Sequence, residues 1–230
     1  MKNVFFVLSL VFAIGCSSTK DENDRELVEK KNKHIKSEYM VTNASSNVRP
    51  GWIEDAELWA AKYGKDKKTY RFFSYETTAK VDREIACNIA EAKVKATIAG
   101  EITSFIEKTL ASSKEGQAAI DENNPKAKAM SEYVETTLAQ KTMSMIHGAA
   151  MIKNYWEKRK YLQDLGAKRD YRGYTCAILV RMNSERLKEA VDRAAELLQK
   201  NAADQEVKEN VKKALKDVDE NFIKARQGLI

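Results

Sequence analysis

The residues that could do covalent or metal chemistry are few: Cys16, Cys87 and Cys176, with two histidines, His34 and His147. A protein-held zinc or catalytic metal needs several ligands at short spacings. His34 lies in a polar stretch and His147 on a predicted strand, so no metal site and no cofactor is expected. The chain carries no GxSxG, P-loop or GxGxxG pattern. Its Asp and Glu residues sit among Lys and Arg, as on ordinary solvated helix faces. A glycosidase-type carboxylate pair is defined by spatial separation and is not legible in a sequence. No catalytic residue is singled out, and a non-enzymatic role is expected. Cys87 falls on a predicted helix and Cys176 on a strand expected beneath it. In an oxidising compartment they could pair, given Cα atoms within about 4.4–6.8 Å; two buried free thiols are the alternative. Neither has a local cue for a lowered pKa, so neither reads as a nucleophile. Tyr155-Trp156 reads either as a carbohydrate platform or as core anchors.

Cys16 is different because of what precedes it. Lys2 is followed by VFFVLSLVFAI, Val4 to Ile14, in which only Ser9 is polar. At about 1.5 Å per helical residue this run falls short of a hydrocarbon core of about 30 Å. A charge, a short apolar run and small residues form the layout of a secretory signal peptide. The sequence Ala13-Ile14-Gly15-Cys16 resembles the bacterial lipobox. The resemblance implies cleavage between Gly15 and Cys16 and acylation of the cysteine. Two or more acyl chains hold a membrane stably, so the mature protein is expected to be membrane-anchored rather than membrane-spanning. Ser17, not Asp, follows the cysteine, which by resemblance to bacterial sorting rules favours the outer membrane.

The elements that must position these residues follow from pattern. Residues 1–15 read as the signal peptide and 16–46 as a lipidated polar tether, too poor in large apolar groups to offset its ordering entropy. Residues 47–200 read as the folded domain and 201–230 as a C-terminal amphipathic helix. Pro50-Gly51 marks a turn, with Trp52 and Ile53 docking on the core and Trp59 and Tyr63 at helical spacing. Thr69 to Thr78 is aromatic and β-branched and predicts a strand. Val81 to Leu110 predicts a long Ala-rich helix capped by Asp82, with Ile85, Ile89, Ala92, Ala96, Ala99, Thr103 and Ile106 inward. Residues 112–125 read as a polar connection. Lys126 to about Met143 predicts a second helix, with Met130, Val134, Leu138 and Lys141 on one side, and the Thr136-Thr137 pair leaves a strand as the alternative. Ile146 to Tyr161 predicts a strand bent at Gly148, and Tyr171 to Met182 its alternating hairpin partner. Ser184 is expected to cap a further helix. Val207, Val211, Leu215, Val218 and Phe222 form an apolar stripe that either packs on its own domain or serves as an interface for a partner or a second copy. The expected fold class is α+β: a small antiparallel or mixed sheet packed by the Ala-rich helix, with a C-terminal helical extension.

The formal charge is +6, from 40 basic and 34 acidic residues. It is scattered, without the concentrated patch that a nucleic-acid footprint needs, so no nucleic-acid partner is expected.

Several strings in order resemble the twenty-kilodalton outer-membrane lipoprotein family and the related flagellar outer-membrane lipoproteins. They are the lipobox at Cys16, Pro50-Gly51-Trp52-Ile53, EIACNIAEAKVKATIAGEI, Ile146-His147-Gly148-Ala149 with Tyr155-Trp156, and Tyr174 to Val180. Beyond the lipobox they span roughly Arg49 to Leu198. The resemblance implies a non-enzymatic envelope component, surface-exposed in some members and attached to flagellar machinery in others, with no catalytic residues. The expected partners are the membrane, through the lipid, and an envelope protein or a second copy. A periplasmic ligand- or peptidoglycan-binding module is the alternative, and a hydrolase a third. A deep pocket lined by convergent carboxylates would favour the hydrolase, a shallow aromatic, polar groove the ligand-binding module, and a flat apolar strip on residues 207–222 an assembly protein.

Overall fold

The structure, a computed structural model, describes residues 37–230. The expected signal peptide with Gly15, and Cys16, His34 and most of the expected tether, lie outside the described residues.

Four strands form one antiparallel sheet in the order β1-β3-β4-β2: β1 (Tyr39–Ala44), β2 (Tyr70–Glu76), β3 (Ala150–Tyr161) and β4 (Tyr171–Asn183). The fold class is α+β, and the sheet is antiparallel rather than mixed. The hairpin of β3 and β4 pairs from Tyr161 opposite Tyr171 to Ala150 opposite Arg181, with a bulge between Met151 and Lys153. In β4, Thr175 to Val180 are buried without a break, because this central strand is covered on both faces. Cys176, Ile178, Val180 and Met182 join the main core with Phe73 of β2. The alternate residues Ala177 and Leu179 join Phe72, Tyr155, Trp52, Ala56 and Ala60 in a smaller core on the opposite face. The turn Gly51–Ile53 and helix α1 (Ala56–Lys62) cover that second face.

Helix α2 (Arg83–Ser112) lies across the first face. Asp82 caps it by accepting hydrogen bonds from the backbone N–H groups of Glu84 (2.7 Å) and Ile85 (3.2 Å), satisfying donors that the first turn leaves open. Its buried residues step by four, from Ala86, Ala90 and Val94 through Ile98, Ile102 and Ile106 to Leu110, with Ala99 and Thr103 beside them. This corrects the expected stripe: Ile85 is exposed and Ala92 faces solvent. A four-residue step outruns the helical turn, so the buried stripe winds around this 30-residue helix as it passes from the sheet to its helical neighbours.

The expected polar connection contains helix α3 (Lys114–Ala119). Gly116 there lies so near the Leu110 backbone that a Cβ would stand 2.1 Å from the Leu110 carbonyl oxygen. The predicted helix at 126–143 divides at Thr136/Thr137 into α4 (Pro125–Thr136) and α5 (Leu138–Met145). Met130, Val134 and Leu138 are buried as expected, but Lys141 is exposed and Thr142 takes the inward place. The β3 strand begins at Ala150 and not at Ile146; Gly148 precedes it with φ +77°, a conformation that favours glycine.

Helix α6 (Ser184–Asn201) is capped by Asn183, one residue before the expected Ser184. The C-terminal stretch forms two helices, α7 (Gln205–Ala214) and α8 (Val218–Arg226), divided at Asp217, which has φ 57°. Val207, Val211, Leu215, Val218 and Phe222 are all buried in the main core. The interface assigned to these five residues is therefore corrected: the stripe completes the domain's own core. Phe222 meets Phe105 of α2 edge-on at 5.2 Å. Arg226 pins the last turn by pairing with Glu101 of α2 and donating to the Phe72 carbonyl at 3.0 Å.

A second correction concerns the tether. Tyr39–Ala44, placed in it by composition, is β1, paired antiparallel with Tyr161 to Glu157 of β3. As an edge strand it is exposed on most of its residues, so its sequence lacks the apolar alternation of a half-buried strand.

Candidate functional site

Period-two alternation sends neighbouring residues of β3 to opposite faces, and two polar constellations result.

On the α1 face Glu157 and Arg159 of β3 meet Glu76 at the end of β2 and Arg49, just before the Pro50-Gly51 turn. Arg49 grips Glu76 with two donors, at 2.9 and 2.7 Å, and reaches Glu157 at 3.3 Å. Arg159 donates to Glu157 at 2.7 Å and to Glu76 at 2.6 Å. The Tyr155 hydroxyl donates to Glu157 at 3.0 Å. The Glu157 side chain is 3% exposed and that of Arg159 9%, so the cluster is desolvated and its two positive and two negative charges must cancel locally. Burial alone would raise the Glu76 carboxyl, but Arg49, and after it Arg159, outweigh burial and hold it below the ordinary carboxylate value. Burial opposes the charge on Arg49 and Arg159, yet the facing carboxylates hold both guanidiniums more firmly protonated than usual. Burial, then Glu157, push the Tyr155 phenol up. The paired charges fasten the segment between β1 and α1 onto the sheet.

On the α2 face Trp156 and Lys158 of β3, Tyr174 of β4, Asn43 of β1, and Asp82 and Arg83 at the start of α2 line an open groove of about 280 Å³. The Trp156 and Tyr174 rings are 6.4 Å apart. The Arg83 guanidinium stands 5.1 Å from the Trp156 ring centre, and Lys158 Nζ 5.4 Å from that of Tyr174.

Cys87 and Cys176 form a disulfide with Cα atoms 5.0 Å apart. Cys87 lies one turn beyond Arg83, and Cys176 lies opposite Trp156 in the ladder. The bond thus fixes the first turn of α2 above the strands and holds the groove's two walls in register. Of the paired-cysteine and free-thiol readings, the structure adopts the pair.

Of the other singled-out residues, His147 is exposed, and among the described residues no group of three or more His, Cys, Asp or Glu could hold a metal. Tyr155 and Trp156 divide between the two faces, Tyr155 to the core and Trp156 to the groove. The charged cluster was missed from sequence because Arg49, Glu76 and Glu157 are separated by long stretches and each resembles any surface charge. One local signal existed: Glu157 and Arg159 stand two apart in a strand, on the same face as Tyr155. No helix among the described residues is long and apolar enough to cross a membrane.

Comparison of the chain with protein-family models, curated proteins and solved structures finds no match.

Proposed function

We propose that this chain is a non-enzymatic bacterial outer-membrane lipoprotein, moored through acyl chains on Cys16, whose folded domain serves as an envelope assembly or interaction module. The observation that carries the reading is the leader: Lys2, the apolar run Val4 to Ile14, and small residues ending at Gly15-Cys16. Two features of the domain support it. The disulfide between Cys87 and Cys176 suits an oxidising envelope compartment. The charged cluster fastens the segment between β1 and α1, near the N-terminal end of the described residues, onto the sheet. The resemblance to the twenty-kilodalton lipoproteins adds the outer membrane and an envelope protein as partner.

The test compares wild type with Cys16→Ala in cells fed an alkyne-bearing fatty acid. Wild type should take up label and sediment with outer membranes, and Cys16→Ala should take up none. An unmodified Cys16 thiol, or an intact leader on the native protein by mass spectrometry, would overturn the proposal. A periplasmic ligand-binding module is the second reading, and the shallow aromatic, polar groove beside Trp156 favours it.

A further inference from the structure

We propose that the groove between the start of α2 and strands β1, β3 and β4 binds a carboxylate-bearing sugar unit of a glycan. Two aromatic side chains, two cations and two neutral or acidic polar side chains line it. Among the described residues, Arg49, Arg159 and Arg226 all pair with carboxylates, whereas Arg83 and Lys158 have no carboxylate within salt-bridge distance. Each instead stands over an aromatic ring. A ring face attracts a cation but offers no lone pair, so the N–H donors of both residues remain open to a ligand. Asp82, the one carboxylate in the lining, has Oδ1 committed to capping α2.

That combination selects the ligand. A pyranose carries hydroxyls around its rim, which Asn43 and Asp82 can meet, and C–H groups suited to a wall that includes Trp156 and Tyr174. Pockets that enclose whole small ligands run about 300–1,000 Å³. This groove, at about 280 Å³ and open to solvent, takes one unit of a longer chain rather than a whole enclosed molecule. The excess of one positive charge in the lining favours an anionic unit. The planar fork of Arg83 matches a carboxylate, and the disulfide at Cys87 keeps that fork in place. The assignment rests on the export reading only for where such a glycan is met; binding itself is independent of Cys16.

The test uses the full chain in mild detergent, labelled with 5-fluorotryptophan, so that Trp52, Trp59 and Trp156 each give a fluorine resonance. Glucuronate and N-acetylmuramate are titrated against glucose and N-acetylglucosamine as neutral counterparts, and against inorganic phosphate as a bare anion. The acids should shift the Trp156 resonance saturably and leave Trp52 and Trp59 in place. The neutral sugars should bind at least about tenfold more weakly, as expected for loss of a charge-assisted pair. Arg83→Gln and Lys158→Gln should each weaken the acids by a similar factor with unchanged thermal unfolding, and Cys16→Ala should bind as wild type does. Equal binding of neutral sugars or of phosphate, a shift at Trp52 or Trp59 alone, or no saturable shift would overturn the proposal.

Discussion

Breaking the Cys87–Cys176 bond should cost this domain a large share of its stability. The two cysteines are 89 residues apart in the chain, so the bond closes a long loop in the unfolded state. Treated as chain entropy, a loop of that length stabilises by about 4.6 kcal/mol at 25 °C. For a domain of this size each kcal/mol moves the unfolding midpoint by about 2–4 °C, which places the expected fall at roughly 9–18 °C. Reduction is a cleaner perturbation than substitution: Cys176 is fully buried, and truncating it would add a cavity term of its own. The assay is the circular-dichroism melt of the full chain with and without a phosphine reductant, alongside thiol titration of the denatured, unreduced protein. Reduction should also free the first turn of α2 and weaken saccharide binding at the groove. Two titratable thiols from Cys87 and Cys176 in the protein as isolated, or a midpoint shift under about 2 °C on full reduction, would refute the reasoning.

Two further outcomes follow from the packing and the charges. Phe222→Ala should destabilise by about 3–5 kcal/mol in urea unfolding, because Phe222 is 2% exposed and packs on Phe105; a near-neutral result would return the stripe to the role of a free interface. Glu76→Gln should flatten the acid limb of the stability–pH curve. The folded carboxyl is held below its ordinary value, so its stabilisation is full above the unfolded pKa, about 4.3, and is lost as pH falls through the folded one. Glu101, raised by burial against the pull of Arg226, works in the opposite sense and is common to both proteins, so the difference between their curves isolates Glu76.

The elements legible in the sequence were those whose pattern is local. Strand β4 showed its two-residue alternation, and α2 showed both its cap at Asp82 and its run of small apolar residues. Strand β1 was not legible. Its pairing with β3 is made by backbone groups that any sequence possesses, and its side chains stay mostly in solvent, so nothing separated Tyr39–Ala44 from the polar stretch before it. The C-terminal stripe was legible as apolar but not by destination. An amphipathic helix carries one pattern whether its apolar side meets its own domain or another molecule; Phe105, Arg226 and Glu101 settle the matter only once the chain has closed on itself.

The sequence by itself determined the α+β class and the position of Cys87 and Cys176 on a helix and a strand, because each depends on residues close together in the chain. The tertiary structure decided that those cysteines meet, that Arg49, Glu76, Glu157 and Arg159 neutralise one another, and that Trp156 and Tyr174 open beside Arg83. These are contacts between distant segments. Sheet register and helix crossing fix such contacts, and neither is written in any single stretch of the chain.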